Sequence, residues 1–173
     1  MPNVFFISDL HLFHSNILKF KKADGSLTRP GFRDLHHMHA VIGENWCRTV
    51  KAEDKVYVLG DVTFHQDGLK LMRGWPGHKR LVRGNHDLLR LKEYASVFEE
   101  IYGVRQLDRY WLTHVPMHPH SMERAIANIH GHLHTNVIRD LPFGQPNPRY
   151  VNVCVEQIDY TPIEWSEIRK RFE

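Results

Sequence analysis

VFFISDLHL, residues 4–12, begins as a short apolar run of aromatic and β-branched residues and stops at Ser8-Asp9. A run of that length and composition reads as a buried strand that hands its last residues to a loop. The same event recurs along the chain. KVYVLGD (55–61) ends in Gly60-Asp61, and KRLVRGNHD (79–87) ends in Gly84-Asn85-His86-Asp87. YWLTH (110–114) ends in His114, and ANIHGHLH (127–134) ends in His130-Gly131-His132-Leu133-His134. Five strands therefore each deliver a side chain able to bind a metal. Residues at strand termini on one sheet edge can converge on one point.

Between these strands lie helical patterns. Leu35, Met38, Ile42 and Trp46 recur at three- and four-residue spacing, which predicts a helix over 34–50. A short helix is expected over 68–73, closed by Gly74 and Pro76. A sixth strand is expected over 150–155. Thr161-Pro162-Ile163-Glu164 has the form of a capping box, so a final helix is expected to start there. Residues 21–32 and 141–149 read as surface loops within one domain spanning 1–173. Strands alternating with helices make the fold class α/β.

Composition narrows the possibilities. The net charge of +3 suits an anionic ligand without requiring nucleic acid. Cys47 and Cys154 form no CxxC pair, which argues against a zinc finger, and both are expected to be buried free thiols. The N-terminus has no basic segment followed by a long apolar one, and no stretch is apolar enough to span a membrane, so a cytoplasmic protein is expected. No protein partner is evident. Fourteen residues are histidine, which invites a metal, but their positions decide the matter.

Each motif taken alone is weak. Asp-x-His is common, Gly-Asp is usually a turn, and a lone histidine is often a satisfied core residue. Their joint order is specific. SDLHL, LGDV, RGNHD, LTHVP and HGHLH, covering roughly residues 4–134, resemble the calcineurin-like metallophosphoesterase superfamily, in particular its small bacterial and phage-type members. The resemblance implies two mixed β-sheets packed as a sandwich and flanked by helices. It implies a first metal held by Asp9, His11 and His134, and a second held by Asn85, His114 and His132. Asp61 would bridge the two. His86 would be the general acid, with Asp87 shaping its loop or orienting His86. The cofactors implied are two divalent transition metal ions. The mixture of carboxylate, imidazole and amide donors favours manganese, with iron, zinc or nickel as alternatives.

The chemistry implied is hydrolysis of a phosphate ester by hydroxide formed between two cations. The phosphodiesterase reading is preferred. A phosphomonoesterase or nucleotidase is the alternative, and a non-catalytic scaffold of the same fold a more distant one. Asp61 is followed by Val62-Thr63-Phe64-His65, so the extended Gly-Asp-x-Val-Asp-Arg-Gly motif of the superfamily's protein phosphatases is absent. Phosphate contacts must then come from elsewhere. His14, Asn16 and Arg29 are the candidates, with His65 a further residue that could line the cleft. The substrate is expected to be a phosphate ester, a nucleotide or nucleic-acid end included. However, the basic stretch 79–90 contains no aromatic for stacking. His36, His37 and His39 are expected to be exposed on their helix.

Overall fold

The computed structural model describes residues 2–140 and 144–173. In chain order the elements are β1 (Val4–Ile7), α1 (Leu35–Thr49), β2 (Lys55–Val58), α2 (Gln66–Arg73), β3 (His78–Val82), α3 (Leu91–Tyr94), β4 (Glu100–Tyr102), β5 (Arg105–Leu107), β6 (Tyr110–Thr113), α4 (Pro119–Met122), β7 (Ala127–His130), β8 (Tyr150–Asn152), β9 (Ile163–Glu164) and α5 (Trp165–Arg169). They form two mixed sheets, ordered β4-β3-β2-β1-β9 and β5-β6-β7-β8. β1, β2, β3 and β4 run parallel, and β9 joins β1 antiparallel. β6, β7 and β8 run parallel, with β5 antiparallel on the edge. No helix among the described residues is long and apolar enough to cross a membrane.

Alternation along the strands divides the core in two. Phe5, Ile7, Val56, Val58 and Leu81 pack with Met38, Ile42, Trp46, Leu69 and Met72 of α1 and α2. Phe6, Tyr57, Leu59 and Val82 point the other way and pack with Leu112, Ile129 and Val151 of the second sheet. Successive strand residues face opposite sides, so a sheet covered on both faces needs the unbroken apolar runs seen in the sequence. The parallel direction of β1, β2 and β3 brings their C-terminal ends to one edge.

The chain departs from its sequence reading in several places. The expected capping box at Thr161 does not start a helix. β1 leaves one edge open, and Ile163 pairs there with Phe6, so the last helix begins only at Trp165. Tertiary pairing overrides a local start signal worth only about 1 kcal/mol. The expected strand over 150–155 stops at Asn152, and a 3-10 turn follows at Val155–Gln157. The short α3, β4, β5 and α4 were not expected. Cys154 is buried as expected, but Cys47 is exposed. Of the loop expected over 141–149, residues 141–143 lie outside the described residues.

His39 is a further correction. It is 6% exposed, not on the solvent side of α1. Its Nε2 accepts the Phe13 backbone N–H at 3.0 Å, which ties α1 to the loop after β1. Burial, with the charge of nearby His36, lowers its pKa from 6.5 to about 4. The folded pKa lies below the unfolded one, so the unfolded chain binds more protons between pH 6.5 and 4 and stability falls as pH drops through that window. His39 should account for a loss on the order of 3 kcal/mol. Chemical denaturation of wild type and His39→Gln at pH 7 and pH 4 measures it. The variant should lose less stability on acidification, and equal losses would contradict this.

Candidate metal centre

The loops leaving the strands adopt backbone geometry that ordinary residues avoid. Asp9 (φ 58°), His11 (49°), Asp61 (51°), His132 (70°) and His134 (49°) all lie in the left-handed region. Such conformations cost about 1–3 kcal/mol each and persist only where the surroundings impose them. Here hydrogen bonds between loops impose them. The N–H groups of Asp9 and His11 donate to Gly60 O and Asp61 O, both at 3.0 Å. The His132 N–H donates to Asp9 Oδ2 at 2.8 Å. The His86 N–H donates to Asp61 Oδ1 at 2.8 Å. Two glycines allow the loops this close. A Cβ on Gly84 would lie 2.2 Å from Asp61 Oδ1, and one on Gly131 would lie 2.4 Å from Asp9 Oδ2.

The donor atoms form two groups. In the first, His11 Nε2 lies 3.7 Å from Asp9 Oδ1, and His134 Nε2 lies 3.9 Å from the same oxygen. In the second, Asn85 Oδ1 lies 2.9 Å from His114 Nε2 and 3.0 Å from His132 Nδ1. Asp61 faces both groups. Its Oδ2 is 3.6 Å from His11 Nε2 and its Oδ1 is 3.4 Å from His114 Nε2. Donors bound to one cation at about 2.0–2.2 Å stand roughly 3–3.5 Å apart, close to these separations. Asp9 Oδ1 and both ring nitrogens of His11 are buried without a hydrogen-bond partner, a costly condition for groups of this kind. Unpartnered carboxylate and imidazole donors aimed at one space fit a divalent cation. Two triads, Asp9-His11-His134 and Asp9-Asp61-His114, meet the spacing for an ion.

A supporting layer fixes the imidazoles. The backbone carbonyl of Leu59 lies 2.8 Å from His114 Nδ1, and Glu156 Oε1 lies 2.9 Å from His134 Nδ1. Nδ1–H donation in each case leaves Nε2 as the lone-pair donor facing inward. Burial lowers the His114 pKa, but the carboxylates of Asp61 and Asp9 outweigh it and hold it at about 8. Burial raises Asp9, yet the surrounding histidines hold its carboxyl far below the usual range. Burial likewise raises Glu156, and His134 and Arg29 more than offset it. Glu156 carries no motif and was not foreseen. The 3-10 turn that replaces the end of the expected strand brings it to His134.

The other expected site residues divide sharply. Arg29 was expected to bind substrate and does not reach the cleft. It is 1% exposed, and its Nε donates to Glu156 at 2.7 Å. Its remaining nitrogens donate to the Asp9 and Leu10 carbonyls. A guanidinium buried in an ion pair holds the loop and is out of reach of a phosphate in the cleft. Asp87 has the loop-shaping role expected of it. It is fully buried, and its carboxylate accepts the N–H groups of Asp61, Val62 and Gly84 at 2.8–3.0 Å. It positions the loops that carry Asp61 and Asn85. His86 is exposed beside the centre, its ring 5.9 Å from that of His11. His14 is half-buried, 5.4 Å from the His11 ring. Asn16 is exposed and caps nothing. His65 is exposed, and its Nδ1 accepts the Asp67 N–H at 3.3 Å at the start of α2. A groove of about 420 Å³ runs along the His132 and His134 side, lined also by Phe20, Lys21, Lys22 and Thr28.

No protein-family model matches the chain. The chain is 31% identical to the uncharacterized protein MJ1445 of Methanocaldococcus jannaschii, over 100% of this chain and 93% of that one. It is 29% identical to the gene 66 protein of Mycobacterium phage D29, over 90% of this chain and 89% of that one. Among solved structures, it is similar to the protein of unknown function AQ665 from Aquifex aeolicus, with a TM-score of 0.71, 29% identity and coverage of 98% and 99%.

Proposed function

We propose that this chain, which belongs to the same family as the Methanocaldococcus jannaschii protein MJ1445, is a metal-dependent phosphoesterase of the calcineurin-like type. Its two mixed sheets with outer helices and a core between them are consistent with the sandwich of that superfamily. One observation carries the reading. Side chains from five strand ends meet with Asp9 Oδ1 and the His11 nitrogens buried and unpartnered, while Asp61 turns one oxygen to each donor group.

In this reading Asp9, His11 and His134 would hold one divalent ion and Asn85, His114 and His132 the other, with Asp61 shared by both. When bound, two such ions would offset the charge of a phosphate ester and lower the pKa of an attacking water toward neutral. The protein supplies the rest. Leu59 O and Glu156 keep the imidazole lone pairs of His114 and His134 turned inward. Asp87 fixes the loops carrying Asp61 and Asn85. His86, exposed beside His11, protonates the departing oxygen.

Arg29 is committed to Glu156, so a phosphate-clamping arginine expected from the sequence is lost. A monoester dianion needs such a clamp more than a diester monoanion does. The site also opens into the groove beside His132 and His134, which leaves room for a second ester substituent. The substrate class we assign is therefore a phosphodiester. With manganese-loaded protein at one pH, kcat/KM for bis-4-nitrophenyl phosphate should exceed that for 4-nitrophenyl phosphate. A preference for the monoester would overturn the diester assignment.

A further inference from the structure

The basic stretch 79–90 has no aromatic, but the folded chain brings aromatics to the centre from two other loops. Phe64 follows Asp61 by three residues and is 37% exposed although large and apolar. Its ring lies 5.3 Å from His86 and 4.4 Å from His14, and is stacked on His11 at 6.0 Å with an interplanar angle of 20°. His14 in turn meets Phe20, which is 42% exposed, at 5.4 Å. His86, Phe64, His14 and Phe20 thus form an unbroken strip of rings from the candidate acid outward. Beyond Phe20 stand Lys21 and Lys22, in the groove that reaches His132 and His134. They lie on a tight turn closed by the Lys21–Leu27 bridge and the Lys22 N–H donating to Ser26 O.

We infer that Phe64 is a stacking platform for a planar ring on the substrate's leaving group, and that the ligand is a nucleotide-type phosphate whose base lies on this strip. The inference rests on the phosphoesterase reading for the orientation of the leaving group alone. Base–aromatic stacking accepts any base, since every base has a π face, and the lysines beyond Phe20 provide charge for the rest of an anionic chain. A sugar phosphate without an aromatic base would leave Phe64 and Phe20 uncovered.

Binding separates the possibilities. Manganese-loaded protein is titrated calorimetrically with adenosine 5′-monophosphate and with ribose 5-phosphate at one pH. The nucleotide should bind about tenfold or more tightly, within the range of base–aromatic stacking. Phe64→Leu, which keeps the apolar bulk, should erase most of that preference, and Phe64→Trp should keep it. Equal affinity for the two ligands in wild type, or a preference unchanged in Phe64→Leu, overturns the inference. Preferential nucleotide binding by a protein that hydrolyses no ester leaves the stacking platform standing and removes the phosphoesterase reading. Diester hydrolysis with equal binding of the two ligands removes the platform alone.

Discussion

Asp61→Asn is expected to lower metal content from two ions per chain to fewer than one, and to cut diester hydrolysis by more than about 100-fold, the upper end seen for groups that only support a ligand. The physical reason is the double approach of its carboxylate. Oδ2 stands 3.6 Å from His11 Nε2 and Oδ1 stands 3.4 Å from His114 Nε2. An amide replaces one of those oxygens with an NH₂ group that cannot donate a lone pair to a cation, and it removes the negative charge. The shape is nearly unchanged, and the remaining oxygen can still accept the His86 N–H now bound at 2.8 Å. Circular dichroism of the metal-free variant should match wild type. Elemental analysis after gel filtration reads the metal loss, and two ions retained per chain would contradict the bridging role.

His86→Ala should behave in the opposite way. His86 belongs to neither donor group, so metal content should stay near that of wild type. Its ring nonetheless lies beside His11 and Phe64, at the mouth of the centre. Loss of a general acid lowers kcat by about 10²–10⁴-fold where the leaving alkoxide needs a proton. Nitrophenolate leaves with little help, so the loss should be smaller for bis-4-nitrophenyl phosphate than for a dialkyl phosphate diester, which can expel only an alkoxide. Rates on the two substrates, compared with wild type, check the assignment. Equal losses on both would mean that His86 acts on binding and not on proton transfer.

The convergence of these side chains was legible in the sequence because a parallel strand buried on both faces is largely apolar. Its end is therefore marked by the first polar residues, and Asp9, Asp61, Asn85, His114 and His132 all stand at such ends. The support was not legible. Glu156 meets His134 across 22 residues and Arg29 across 127, and no local pattern encodes either pairing. Arg29 was a candidate for phosphate because it lies on the loop after the first motif. Only the folded chain shows its charge neutralised by a buried carboxylate. The start of the last helix failed for a related reason, since Ile163 answers to the open edge of β1 before it answers to its neighbours. Phe64 and Phe20 gave no periodic signal, because loop aromatics acquire meaning only from the rings they face.

The number of divalent ions bound decides between a two-metal centre and any other use of these histidines. Metal-free protein is equilibrated with manganese by dialysis, and bound ions are counted against protein concentration. Two ions per chain are predicted, and binding that saturates at one ion or none would contradict the two-metal centre.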